Sequence, residues 1–125
     1  MSKKQRDKGA RYERYIRKLF EAVYKDETVV RGNQRFAAFQ PDVVIPDYWV
    51  ECTHSKSPRV NAKIKQALRD LRETPDRSQE GKIPLIISRQ DHESDWATIP
   101  LDHFIVLLRR DKELQKQEET IWTTP

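Results

Sequence analysis

Gln40-Pro41-Asp42-Val43-Val44-Ile45-Pro46-Asp47-Tyr48-Trp49-Val50-Glu51-Cys52-Thr53 is the stretch whose reading decides the fold. Val43-Val44-Ile45 and Tyr48-Trp49-Val50 are β-branched and aromatic runs, and Pro46-Asp47 between them is turn chemistry, so two antiparallel strands are expected. A turn centred on Pro46-Asp47 pairs residues whose numbers sum to 93, which sets Asp42 opposite Glu51. Directly opposed residues share a sheet face with Cβ atoms roughly 4.5–5.5 Å apart, and like charges there are unfavourable unless something neutralises them. A divalent cation is the natural candidate. The competing reading is structural: Asp42 caps a turn and Glu51 pairs with Lys56 or an arginine.

On the N-terminal side, Tyr12, Ile16, Leu19, Phe20 and Val23 recur at helical spacing, which predicts an amphipathic helix from about Lys4 to Lys25. Glu13 lies beside its apolar stripe, either as a site residue or as an i,i+4 partner of Arg17. Thr28-Val29-Val30-Arg31 reads as a short strand, broken by Gly32-Asn33-Gln34, and Phe36-Ala37-Ala38-Phe39 is expected to cover a core edge.

On the C-terminal side, His54-Ser55-Lys56-Ser57-Pro58 reads as a polar loop. Val60, Ile64, Ala67, Leu68 and Leu71 mark a second helix that stops near Thr74-Pro75, with Lys63, Gln66 and Asp70 on its other side. Ile83 to Ser88 is a continuous apolar run that suits a strand covered on both faces, with Pro84 near its start. Trp96 to Ile99 is a further short strand, and Leu101 to Arg110 a helix or strand. The order α-β-β-β-α-β-β-α predicts an α/β fold: a mixed β-sheet flanked by helices. One domain over residues 1–110 is expected, followed by a polar tail over 111–125 that docks on its own domain or on a partner.

Of the 125 residues, 36% are hydrophobic and 35% charged, so the core must be compact. The net charge of +4 is uneven: over residues 3–18, Lys3, Lys4, Arg6, Lys8, Arg11, Arg14, Arg17 and Lys18 are set against only Asp7 and Glu13. A basic arm of this kind is a phosphate footprint or simply a solvated face. The single cysteine, Cys52, excludes an intramolecular disulfide and is expected to point into the core on the side opposite Glu51. Trp49, on the side of Asp42 and Glu51, either walls one side of the site or packs under the first helix, and packing is the expectation. No run approaches a membrane span, so a soluble, cytoplasmic protein is expected. His54, His92 and His103 show no ligand spacing.

Three segments carry a resemblance. Lys8-Gly9-Ala10-Arg11-Tyr12-Glu13-Arg14, then Val30-Arg31-Gly32, then Pro41-Asp42 with Glu51-Cys52-Thr53 resemble, in order, the motifs of the PD-(D/E)XK nuclease superfamily. Within it they resemble the archaeal-type Holliday junction resolvases and their phage relatives. The resemblance covers roughly residues 8–88. It implies a restriction-endonuclease-like core (αβββαβ) and a homodimeric, Mg²⁺-dependent endonuclease, with Mn²⁺ able to substitute. Its substrate would be branched or structured DNA, in recombination or repair, in the host cytoplasm if the chain is phage-encoded. Asp42 and Glu51 would be the metal ligands and Glu13 an auxiliary ligand or water-holder. Lys8, Arg11, Arg14, Arg31, Arg35 and Gln66 would meet nucleic acid. The family's lysine two residues after the Glu is here Thr53, so the catalytic lysine would be Lys56 in the loop or Lys63 on the second helix. The alternative is a catalytically inactive nuclease fold that only binds nucleic acid. The loop after Arg31 also departs from the family, with Gly32-Asn33-Gln34-Arg35 in place of a Gly-Ser-rich segment.

Overall fold

The computed structural model describes residues 2–25, 30–31 and 40–123, with backbone alone at 30–31 and 121–123. The element order is α1 (Lys3–Val23), β1 (Val30–Arg31), β2 (Val43–Val44), β3 (Tyr48–Ser55), α2 (Val60–Glu73), β4 (Ile83–Gln90), β5 (Asp95–Thr98) and α3 (Leu101–Thr123). The strands form one mixed sheet in the order β1-β2-β3-β4-β5. β3 runs antiparallel to β2 and parallel to β4, and the β3-to-β4 connection passes through α2, as a parallel pair requires. The chain is therefore α/β, an open mixed sheet flanked by helices. The expected Thr28-Val29 and Phe36 to Phe39 fall outside the described residues.

α1 starts at a capping box: Gln5 N donates to Ser2 Oγ, and Ser2 N donates to the Gln5 side chain. Its buried Tyr12 and Ile16 lie on one face of the sheet with Val43, Ile45, Val50, Cys52, Leu85 and Ile87. On the other face, α2 covers Trp49 and Ile86 through Ala67, flanked by Val60, Ile64 and Leu71. Both sides of β4 are thus buried, which is what its unbroken apolar run demanded.

The hairpin turn is tight. Asp47 has φ 68°, an αL conformation that aspartate tolerates, and Tyr48 N donates to Pro46 O at 2.8 Å. Ile83 N to Asp47 O (2.9 Å) and Lys82 Nζ to Ile45 O (2.8 Å) fasten the turn to the start of β4.

Four expectations need correction. Trp49 packs under α2, not the first helix, because odd-numbered residues of β3 face α2. His54 and Ser55, expected in a loop, are the last residues of β3, held by parallel pairing to Arg89 and Gln90 of β4. Leu68 is 51% exposed while Asp70 is 5% exposed, so the packed side of α2 is rotated from the one expected. Val60, Ile64, Ala67 and Leu71 follow the helical repeat closely, and Leu68 falls off that line. Finally, α3 continues unbroken from Leu101 through the boundary at residue 111 where a tail was expected to begin.

Candidate functional site

The register places Val43 opposite Val50 and Val44 opposite Trp49, so the turn is centred as the sequence suggests. The strand itself ends at Val43, and Asp42 N donates to Val50 O at 2.8 Å. Leaving the ladder turns the Asp42 carboxylate back over β3, where its Oδ2 accepts from Cys52 N at 2.8 Å. Glu51 sits beside it and is 1% exposed, with Oε1 accepting from Trp49 Nε1 at 2.9 Å. Burial first, and then the Asp42 charge, push the Glu51 carboxyl up to about 8. The Trp49 hydrogen bond and the Lys63 charge act the other way, while a side-chain hydrogen bond to Asp42 favours the protonated form. Glu51 thus holds its proton more tightly than an ordinary carboxylate.

Asp42 lines a cleft of about 760 Å³, while Glu51 is buried outside that lining. The cleft walls include Gln5, Arg6, Lys8 and Glu13 from α1, Asp42, Thr53 to Lys56 from the sheet edge and the following loop, Lys63 from α2, and Asp91. Lys63 gets there because Lys63, Ala67 and Asp70 follow each other at helical spacing along the side of α2 that faces the sheet, and Ala67 is fully buried. Its charge is felt at both Glu51 and Cys52. Burial and then the charges of Asp42, Glu13 and Glu51 raise the Cys52 pKa, so it remains a thiol. Cys52 lies in the α1-side core as expected.

The opposite wall is a three-element cluster. Asp91 forms an ion pair with Lys8, and its Oδ1 lies 3.2 Å from Nε2 of His54. The His54 ring lies 5.1 Å from that of Tyr12. Burial, followed by the Lys8 charge, lowers the His54 pKa, and the Asp91 pKa is lowered chiefly by its hydrogen bond from Lys8. α1 is fixed over this wall by Tyr12 Oη, which donates to Asp95 Oδ1 at 2.8 Å. Arg89 grips the same carboxylate with Nε to Oδ1 and Nη2 to Oδ2, both 2.8 Å.

Glu13, Asp42, Thr53, Lys56, Lys63 and Lys8 therefore meet in one cleft, and Glu51 is joined to it through its hydrogen bond with Asp42. Arg11 and Arg14 are exposed on α1 and outside the cleft lining, and Gln66 is half-buried on α2, also outside it. Arg35 and the side chain of Arg31 lie outside what is described. Arg17 pairs with Glu21 (3.5 Å), one turn on.

Among the described residues no three His, Cys, Asp or Glu side chains come together as a metal cage. Mg²⁺ does not need one: one or two carboxylates, with waters and substrate phosphate oxygens completing the shell, is its usual arrangement. A hydrogen-bonded carboxyl pair at the cleft, one member buried and raised in pKa, fits that arrangement.

Sequence reasoning missed Gln5, His54, Ser55 and Asp91, and placed Arg6 only within the basic arm. Arg6 and Glu13 are about two turns apart on α1, so helical phase could have found Arg6. His54 and Asp91 meet only through the β3–β4 register, for which the sequence carries no local signal. No helix among the described residues is long and apolar enough to cross a membrane. Comparison with protein-family models, curated proteins and solved structures found no match for this chain.

Proposed function

We propose that this chain is a metal-dependent endonuclease that hydrolyses phosphodiester bonds in DNA, on a restriction-endonuclease-like core. The observation that carries the reading is the Asp42–Glu51 carboxyl pair, set at a cleft whose rim holds Arg6, Lys8, Lys56 and Lys63. Asp42 and Glu51 would hold Mg²⁺ or Mn²⁺, which when bound supplies Lewis acidity toward a phosphate oxygen and acidifies water. Lys63 faces the carboxyl pair from α2, orients the attacking water and offsets phosphate charge, the part that Thr53 cannot play. Thr53 offers a hydroxyl to the same water, and Glu13 accepts a hydrogen bond from it. Arg6 and Lys56 contact the flanking phosphates, while Lys8, already paired with Asp91, shapes the wall. The preference for branched DNA rests on the resemblance.

Thr53 favours a second reading, a fold that binds nucleic acid without cutting it. A cleavage panel over four-way junction, flap, single-stranded and duplex DNA, with Mg²⁺, Mn²⁺ or chelator, separates the two. Metal-dependent cleavage of any substrate supports the nuclease. Binding of DNA with no cleavage under any condition supports the second reading.

A further inference from the structure

Gly9 has no structural reason to be glycine. It lies inside α1, where glycine is the poorest helix former after proline. Gly81, by contrast, has φ 75° and needs the left-handed conformation that glycine adopts freely. At Gly9 the backbone is helical, and a methyl group would meet no atom within 4 Å beyond its chain neighbours and the backbone of its own helix. The fold alone would therefore be better served by alanine.

The position faces the cleft. Arg6, Gly9 and Glu13 follow one another at i, i+3 and i+7, about 4.5 and 6 Å apart along the helix axis, and all three line it. Gly9 is thus a gap in the wall of side chains that α1 presents, with Arg6 on one side and Glu13 on the other. Lys8, the long side chain next to it, is drawn to Asp91. We propose that Gly9 is where the sugar-phosphate backbone of a bound DNA strand presses against α1, so that the missing side chain sets how close the strand comes to Asp42. The proposal rests on the reading of the cleft as a nucleic-acid site. Arg6, Lys8, Lys56 and Lys63 in the same lining suit a polyanionic chain. A strand held by Arg6 and reaching past Glu13 toward the carboxyl pair crosses the helix at Gly9, and any side chain there would hold it off by its own thickness. Gly9 is a positioning residue in this account and takes no part in the chemistry.

Gly9→Ala and Gly9→Leu test this, because both replacements are better helix formers and their effects on fold and on DNA should have opposite signs. The thermal midpoint of the full chain should rise by a few degrees in each. Affinity for a fluorescein-labelled four-way junction and for a labelled single strand, measured by anisotropy in chelator, should fall slightly for Gly9→Ala and about tenfold for Gly9→Leu. Cleavage in Mg²⁺ should fall further, about a hundredfold for Gly9→Leu, because a displaced strand is also misplaced over the carboxyl pair. Wild-type binding or cleavage that Gly9→Leu leaves untouched overturns this inference alone. A fall in the midpoint on Gly9→Ala shows that the fold itself requires glycine, and overturns it too. A wild type that neither binds nor cuts DNA overturns it together with the reading on which it rests.

Discussion

The two faces of β3 differ by one residue of phase and by almost everything else. Val50 and Cys52 point toward α1 into a core of aliphatic and aromatic side chains. Trp49 and Glu51 point toward α2, where the buried set includes Glu51, Asp70 and Ser88 and the apolar cluster is small. The α1 side gains stability from apolar burial, roughly 25 cal/mol per Å². The α2 side gives up some of that gain to keep the Glu51 carboxyl out of water. The apolar core and the buried Glu51 carboxyl therefore lie on opposite faces of a single strand.

If this separation is right, variants on the two faces should fail differently. The largest effect should come from Asp42→Ala, which should abolish cleavage of a four-way junction, by about three orders of magnitude or about 4 kcal/mol, while junction binding measured by gel shift persists or tightens. Retained cleavage would mean that the carboxyl pair is not the site. On the other face, Ile16→Ala should cost about 3 kcal/mol in urea unfolding and leave activity per folded molecule unchanged. Loss of activity without loss of stability there would erase the distinction. Between the candidate cations, Lys63→Ala should lower the cleavage rate about a hundredfold and Lys56→Ala much less, since only Lys63 acts on Glu51. The reverse order would move the role to the loop.

The smallest effect is the sharpest. The Glu51 pKa is raised from 4.5 to about 8, so the folded state holds its proton more tightly than the unfolded chain. The associated stability is fully present below 4.5 and is lost as pH rises through 8. Glu51→Gln keeps the shape and cannot ionise. Wild type should therefore lose stability relative to this variant as pH rises from about 5 to about 8.5, as read from thermal unfolding. Mg²⁺ should restore that loss in wild type and do nothing for the variant.

What could be read from residues alone was what local chemistry dictates. Pro46-Asp47 placed the turn, and the resulting register held at Val43 and Val50. The apolar run from Ile83 announced a strand buried on both sides, and alternation sent Cys52 away from Glu51. The misreadings arose where a tertiary choice overrode a local one. Polar His54 and Ser55 look like loop until β4 offers them partners along its length. Asp70 looks solvated because its charge says so, yet it lies one row from Ala67 on the covered side of α2. The residues beyond Arg110 look like a tail because nothing in their composition shows that α3 continues through them. Asp91 is far in sequence from every residue it serves.

The grip of Asp95 on Tyr12 has a rotational meaning. Successive residues on a helix are set about 100° apart, so a helix fixed at one side chain has no freedom to roll at the next. Tyr12 Oη bonded at 2.8 Å to a carboxylate that Arg89 already holds rigid fixes the azimuth of α1 from the far edge of the sheet. Glu13 is the next residue, and its heading into the cleft is the consequence. A change at Arg89, on β4, is thus a change in the aim of Glu13.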